Sequence, residues 1–346
     1  MENNTYGFVE VEKFQVGGKT YELFSHRTGG LCFLLALLLP QLLGGMALIL
    51  LATIITENSD PYLFFAYFIT QAVMALSLLI SVDFKLGKSL SRMHFNMPIK
   101  KIDFWLMLPL SFGVLFGLNF LPSIFILLLE QFGYVMQTVP FPDTTTAVGF
   151  LAGLVCICIV PAVVEESIFR GVLLRSFSKN SAWKGILITS ALFALMHGSA
   201  QQTVYQFVVG VILGLVAIKS NSIIPSVILH MLNNAISLVI MMCSVSFQET
   251  LLTYGFIPGA IAVGLIFGYY FNRKTPEITE VEESLGIEKG SVQLRDGGGV
   301  AYGMSRDISQ SEHYLRKAKK YQAIIFYSSA IAFGAFTWVS ALIMGY

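Results

Sequence analysis

The sequence predicts an all-α fold: a polytopic transmembrane helix bundle of about nine spans, with the N-terminus cytoplasmic and the C-terminus outside. Three observations carry this. Hydrophobic residues make up 55% of the 346 and charged residues only 12%, about half the charged share of a soluble protein and too little to cover so much apolar surface in water. Apolar runs close to the roughly 20 residues that cross a bilayer recur along the chain. The Lys and Arg residues fall in alternate connecting segments, as the positive-inside rule requires.

In order, the runs are 31–56, 62–82, 104–129, 147–168, 184–198, 202–218, 223–244, 254–271 and 321–344, the fifth and sixth being short. The N-terminal segment carries three basic residues (Lys13, Lys19, Arg27), and the segment after the second run carries five, from Lys85 to Lys101. Four follow the fourth run (Arg170, Arg175, Lys179, Lys184), one follows the sixth (Lys219), and nine lie from Arg273 to Lys320. These are all 22 Lys and Arg of the chain; segments 57–61, 130–146, 199–201 and 245–253 have none. The chain divides accordingly into a cytoplasmic segment 1–30, N-terminal transmembrane helices 31–144, a core 145–245, a helix 246–271, a cytoplasmic loop 272–320 and a last helix 321–346. The loop is acidic first (Glu277 to Glu288) and basic last (Arg316 to Lys320). It reads as a solvated linker with its basic end at anionic headgroups, or as a docking site for a membrane-protein partner.

Composition also excludes functions. A net charge of +1 leaves no basic excess to neutralise a nucleic acid. Cys32, Cys156, Cys158 and Cys243 all lie in apolar stretches, and the pair two residues apart neither shares a helix face nor forms a CxxC motif. About 30 mostly polar residues precede the first run, which is not the pattern of a cleavable signal peptide, so the first span is expected to direct insertion itself.

Ionisable groups inside a span are costly and mark function by default. Here they cluster in 165–234, in three short patterns. In Glu165-Glu166-Ser167-Ile168-Phe169-Arg170, the two carboxylates sit about 100° apart around a helix. Glu166 and Arg170 have the i, i+4 spacing and acid-first order of a helical ion pair, which leaves Glu165 facing another surface, available for chemistry. Phe193-Ala194-Leu195-Met196-His197 places a histidine at a span end, with Phe193 one turn earlier and able to pack on the imidazole. His230-Met231-Leu232-Asn233-Asn234 puts His230 and Asn234 on one face of an otherwise apolar span, with Asn233 pointing elsewhere as interhelical packing. Taken singly, these read as an interfacial helix end, a hydrogen-bonded packing residue and helix–helix glue. Together they assemble a general base on water (Glu165), a histidine to hold that water, and an oxyanion-stabilising pair (His230, Asn234). That set suits hydrolysis of an acyl bond such as a peptide bond. No activated serine or neighbouring thiol is evident and there is no HExxH motif. A zinc ion held by Glu165, His197 and His230, with water in the fourth position, remains chemically open.

The stretches EESIFRGVLL, FALMH and HMLNN resemble the three motifs of the CPBP/Abi membrane proteases, the group that includes the type II CAAX prenyl endopeptidases. EExxxR, FxxxH and HxxxN are met in full and in order over roughly 145–245. The resemblance implies that Glu165 activates the hydrolytic water, His197 helps to position it, and His230 and Asn234 stabilise the oxyanion. Glu166, Arg170 and Phe193 would be supporting residues. Members are described both as metalloproteases and as glutamate-dependent enzymes, so no cofactor is certain and zinc stays open. The implied substrate is a peptide or lipidated peptide met among membrane lipids. A non-catalytic scaffold or a bacteriocin-immunity protein with the same fold is the alternative; a transporter with a proton relay would more naturally show inverted repeats, and none is found. The basic-residue pattern and the absence of a retention signal suggest a multi-pass protein of a prokaryotic plasma membrane.

A mismatch in depth gives a geometric expectation. Counting inward from the Lys/Arg-rich side at about 1.5 Å per residue, Glu165 is near the surface, His230 about 10 Å deep and His197 about 20 Å along its helix. For the three to meet, the fifth span must begin above the hydrocarbon boundary, after an interfacial stretch around Arg175–Ser181. The turn Gly198–Gln202 would then sit within the membrane and line a wet cavity. The site would be a funnel open to the cytoplasm, with the three side chains within about 10 Å of one another, the reach of a one-water bridge.

Overall fold

A computed structural model describes residues 13–16, 19–22, 24–82, 89–90, 92–95, 99–137, 139–178, 181–273, 293–295, 299–301 and 310–344. Eight of its helices are long and apolar enough to cross a membrane: α1 His26–Ala52, α2 Asp60–Ser81, α3 Lys101–Glu130, α4 Ala147–Phe177, α6 Thr203–Ser220, α7 Ile224–Met241, α8 Val245–Asn272 and, within α9 Gln310–Met344, the stretch Lys319–Met344. Between α4 and α6 lies α5, Ala182–Met196, apolar but only 15 residues long, about 22 Å against a hydrocarbon core of about 30 Å. Among the described residues, an all-α bundle of eight such helices and the short α5 matches the architecture the sequence predicts. Two short antiparallel hairpins outside the bundle are the departure from it: β1 Lys13–Val16 with β2 Lys19–Glu22, and β3 Gln293–Arg295 with β4 Gly299–Ala301.

The helix ends follow local chemistry. Ser25, Thr146 and Ser181 cap α1, α4 and α5, each side chain accepting from a backbone N–H of the first turn, which satisfies a donor that the helix leaves unpaired. Asn221 ends α6 in the left-handed conformation, which Asn tolerates better than most side chains, and Pro225 occupies the first turn of α7, where its missing N–H costs nothing.

Three boundaries differ from the runs read in the sequence. α4 runs to Phe177 rather than ending near 168, because the charges at Glu166 and Arg170 are paired within the protein and do not mark a water boundary. The stretch Arg175–Phe177, expected at the interface, is therefore the last turn of that helix; of the segment beyond it, residues 179–180 lie outside the described set. α8 begins at Val245 instead of 254, and α9 begins at Gln310, so the basic run Arg316–Lys320 belongs to a helix. Most of 272–320, including its acidic half, lies outside the described residues.

The helices outside 145–245 buttress the core at close range. α3 and α8 meet through two Gly-xxx-Gly pairs, Gly113/Gly117 and Gly255/Gly259: a Cβ at Gly113 would lie 2.7 Å from the Val263 nitrogen, and one at Gly259 would lie 2.6 Å from the Gly117 nitrogen. Close backbone approach through small residues drives helix association where lipid removes the hydrophobic difference. At one end of this pair Asp103, fully buried, accepts from Tyr270 Oη at 2.9 Å and is ion-paired with Arg273. α1 packs on α9, where Gly29 and Gly30 face Tyr327 and Phe326.

Candidate active site

α4 carries the first two site residues, and its backbone is unusual around them. The helix takes π-helical turns at Leu154–Ile159 and Ser167–Leu173, flanking the α-helical turns that hold Glu165 and Glu166. Such π turns insert an extra residue and are frequent at functional sites. Pro161 adds a cause: it has no N–H to give the Ile157 carbonyl four residues earlier. Asn234 of α7 supplies the donor instead, its Nδ2 lying 3.1 Å from that oxygen.

The adjacent carboxylates face apart, as the helical spacing predicts. Glu166, fully buried, accepts from Arg170 Nη1 at 2.6 Å. Arg170, 1% exposed, also donates to the Gly210 carbonyl of α6 at 3.1 Å and stacks its guanidinium 4.6 Å from the centre of the Phe193 ring. Glu165 turns the other way. Its Oε1 accepts from Gln71 Nε2 of α2 at 2.8 Å, while its Oε2 is buried with no hydrogen-bond partner among the described protein groups.

His230 joins the two acids. Nδ1 lies 3.0 Å from Glu166 Oε1 and Nε2 lies 3.9 Å from Glu165 Oε2. A carboxylate already paired with Arg170 accepts, so Nδ1 carries a proton and Nε2 is the nitrogen presented toward Glu165. His197, the C-cap of α5, bonds through Nδ1 to the Phe193 carbonyl at 2.8 Å. A carbonyl only accepts, so here too Nδ1 holds the proton and Nε2 keeps its lone pair in the neutral ring. Phe193 is packed between them, with ring centroids 4.7 Å from His197 and 6.0 Å from His230 in edge-on contacts.

Glu165, His197, His230, Asn234 and Phe193 line one cavity of about 300 Å³. The sequence-predicted residues are thus brought together, Glu166 and Arg170 lying directly behind the wall. Asn233, read from sequence as pointing elsewhere, lines the same cavity and accepts weakly from Tyr205 Oη at 3.5 Å. The Asn234 amide is half committed, since one of its two N–H groups serves Ile157. Gln202, in the turn expected to line the cavity, does so, whereas Gln71 and Gln206 are lining residues that the sequence reading missed; an uncharged amide inside an apolar span is the signal that marks Gln71. A second cavity of similar volume, about 310 Å³, between α5, α6 and α9 near Phe207 and Trp338, has no titratable group in its wall.

The funnel does not open where the sequence reading put it. Glu165, Gln71 and His230 are buried; Tyr67, Phe141, Asn233, Asn234 and Ser237 are half-buried; Gln202 and Met241 are exposed. Exposure rises toward the ends of α5 and α7 and the start of α2, where the connecting segments hold no Lys or Arg. Toward the Lys/Arg-bearing end the site is sealed by Phe24, Phe33, Met93, Ile168, Phe169, Leu173 and Ile223, none more than 1% exposed. The α5–α6 turn behaves as expected: Gly198 takes φ +59° and the chain re-enters at Gln202 and Gln206, which line the cavity.

The donor set bears on the zinc possibility. Glu165 Oε2 and His230 Nε2 face each other, but no third His, Cys, Asp or Glu converges with them to form a metal-holding group among the described residues. As placed, the residues do not present a ready zinc site.

With this geometry in view, comparison with known proteins is informative. Residues 147–236 match the family described as type II CAAX prenyl endopeptidase Rce1-like. The resemblance drawn from the three motifs holds over that segment, which contains Glu165, Glu166, Arg170, His197, His230 and Asn234. That segment is thus similar to a family of CAAX-type membrane endopeptidases, and it lies in a chain whose described residues include eight helices long and apolar enough to cross a membrane. An uncharacterized 24.3 kDa protein of Escherichia coli is 36% identical over 84 residues, 22% of this chain and 39% of that protein. The chain thus spans about two fifths of the length of this curated relative. No solved structure matches.

Proposed function

We propose that the chain is an intramembrane endopeptidase that hydrolyses a peptide bond with water activated by Glu165. The observation that carries this reading is the buried Glu165 carboxylate, anchored through one oxygen by Gln71 and presenting the other, with no hydrogen-bond partner among the described residues, 3.9 Å from His230 Nε2. An oxygen so placed is free to accept a hydrogen bond from a water. A water held between Glu165 Oε2 and His197 Nε2 gives one proton to Glu165 as its oxygen attacks the carbonyl carbon. The developing oxyanion is met by the second N–H of Asn234 and lies beside the His230 imidazole, which Glu166 holds in place through Nδ1. Collapse breaks the C–N bond, and the proton on Glu165 passes to the departing amine. Arg170 pairs with Glu166 behind the site, and Phe193 packs between the two imidazoles.

In this reading no tightly held zinc is required. The positive-inside pattern further supports a cytoplasmic N-terminus and a C-terminus outside, in a prokaryotic plasma membrane, with peptides or lipidated peptides as substrates.

The test is cleavage of a peptide library by purified, reconstituted protein beside Glu165→Gln. The substitution preserves shape and removes the base, so cleavage is expected to fall at least about a hundredfold. A strong chelator is expected to leave most wild-type activity intact. An undiminished Glu165→Gln enzyme removes this residue from the mechanism and favours a scaffold or immunity role for the fold. Stoichiometric zinc lost on His197→Ala would overturn the metal-free reading.

A further inference from the structure

We propose that Trp338 of α9 is a positioning residue for His197, setting where the imidazole stands against Glu165 through a hydrogen-bond chain to the α5–α6 turn. This rests on the peptidase reading above and adds to it a residue outside the segment 147–236.

Both flanks of His197 are held by one face of α9. Trp338 Nε1 donates to Thr203 Oγ1 at 2.7 Å, and the same hydroxyl donates to the Ser199 carbonyl at 2.8 Å. That chain of bonds ends two residues beyond His197. Two residues before His197, Leu195 lies against Gly334, where a Cβ would come within 2.8 Å of Leu195 Cγ. Gly334 and Trp338 are i and i+4 on α9 and so share a face. The missing Cβ at Gly334 lets α9 approach closely enough for the indole to reach Thr203.

The turn needs such a tether because it has a cavity on each side. Gln202 and Gln206 line the one of about 300 Å³ that holds Glu165, while Leu195, Thr203, Val204 and Phe207 line the apolar one of about 310 Å³. Side chains that border a void lose packing partners on that side, so directional bonds decide where the turn rests. Apart from Thr203 and Trp338, the described wall of the second cavity consists of Ala, Leu, Val and Phe. An indole N–H released from the hydroxyl would find no other side-chain acceptor in that wall, and a bond in such surroundings is costly to leave unmade.

α9 is in turn fixed to the helix that carries Glu165. Tyr327 packs on Phe177 of α4 with ring centroids 4.9 Å apart, and its hydroxyl lies 3.5 Å from Ser176 Oγ. The last helix is therefore a strut between α4 and the α5–α6 turn. Through it the fold sets the separation of Glu165 from His197, on which a shared water depends. At a reacting centre a misplacement of about 1 Å can cost about a hundredfold in rate.

The test uses reconstituted protein and the library peptide that the wild type cleaves. Trp338→Phe keeps an aromatic ring and removes the donor; Thr203→Val keeps the shape and removes the hydroxyl. Each is expected to lower kcat about tenfold with KM within about twofold of the wild type. The double variant is expected to lose no more than Thr203→Val alone, because both act through one chain. Thr203→Ser, which keeps the hydroxyl, is expected to stay within about twofold of the wild type. Amide hydrogen exchange, measured without substrate on Trp338→Phe, is expected to quicken about tenfold at 197–203 and to stay unchanged in α7. A kcat within about twofold of the wild type in Trp338→Phe, additive losses in the double variant, or faster exchange throughout the bundle instead of at the turn each overturns the proposal. Failure of the peptidase reading shows separately, as undiminished cleavage by Glu165→Gln, and leaves the exchange pattern as it is.

Discussion

Two consecutive carboxylates on α4 divide the bundle into halves that handle buried polarity in opposite ways. Behind the site, Glu166, Arg170 and the ring of His230 form a closed set in which the guanidinium meets a carboxylate, a carbonyl and an aromatic face within a cluster of fully buried side chains. In front of it, Glu165 is anchored through one oxygen only and shares a cavity with amide, hydroxyl and imidazole groups. Each carboxylate leaves its second oxygen without a hydrogen-bond partner among the described residues, so what distinguishes them is the counter-charge: Glu166 is ion-paired with Arg170, which makes the first arrangement rigid, while Glu165 faces a cavity with a hydrogen-bond site to fill. Adjacency in sequence therefore says little about role. The 100° turn between neighbours on a helix is what separates structure from chemistry here.

The comparison is broken most severely by removing the closed set's cation. Arg170→Met should leave Glu166 buried and uncompensated and destabilise the protein by about 3–5 kcal/mol, read as a lower unfolding midpoint in detergent. The double variant Glu166→Met/Arg170→Met should recover most of that loss, since no charge is then stranded. Glu165→Gln should move the midpoint far less while removing activity. Equal thermal losses at Glu165 and Arg170 would mean that the two halves are one structural unit.

A smaller effect sharpens the front half. Gln71→Leu keeps volume but removes the donor to Glu165 Oε1. A hydrogen bond to a charged group is worth about 1.5–3 kcal/mol, so kcat should fall about ten- to a hundredfold through a misplaced base. Gln71→Asn is expected to recover little because its amide is one methylene short, and Gln71→Glu should fail through like-charge repulsion. Unchanged kcat in Gln71→Leu would show that Glu165 is held by the cavity alone.

How much was legible before the structure depended on the kind of signal. Span number, the short α5 and the Glu166–Arg170 pair follow from hydropathy and helical spacing, which are local. The convergence of Glu165, His197 and His230 was readable because costly groups in apolar spans are rare enough to imply one another. Gln71 was not found, since it is a lone amide in a span far from the cluster of costly groups at 165–234 and carries no spacing to a second amide or charged residue. The end of α4 was misplaced because a charged residue reads as a water boundary, whereas Arg170 is satisfied inside the protein. The direction of the cavity was misread for a deeper reason. Depth along each helix gives the level of a side chain, but which end is sealed depends on Phe24, Met93 and Ile223 arriving from distant segments, and no local pattern encodes that.

The smallest effect concerns the sealed half at its outer edge. His94, between α2 and α3, places Nδ1 3.1 Å from the Asn221 carbonyl, while its own carbonyl accepts from the Ser222 hydroxyl at 3.2 Å. Both His94 and Asn221 take positive φ, 63° and 55°, so the clasp joins two strained turns that close the bundle over Ile223. Burial, with the nearby Arg175 charge, pushes the His94 pKa down to about 3. The folded state therefore holds this ring neutral, while the unfolded chain binds a proton near 6.5. The unfolded state binds more protons between those values, so the contribution of His94 is complete above about pH 6.5 and is lost progressively as pH falls toward 3. The ceiling is about 1.4 kcal/mol per pH unit, and because the ring is only half-buried the expected slope is about 0.5–1 kcal/mol per unit. His94→Asn tolerates the left-handed backbone and cannot titrate, so its unfolding midpoint, measured from pH 7 to pH 4.5, should fall less steeply than that of the wild type. Identical slopes for the two proteins would remove His94 from the acid response and place it with other groups of the bundle.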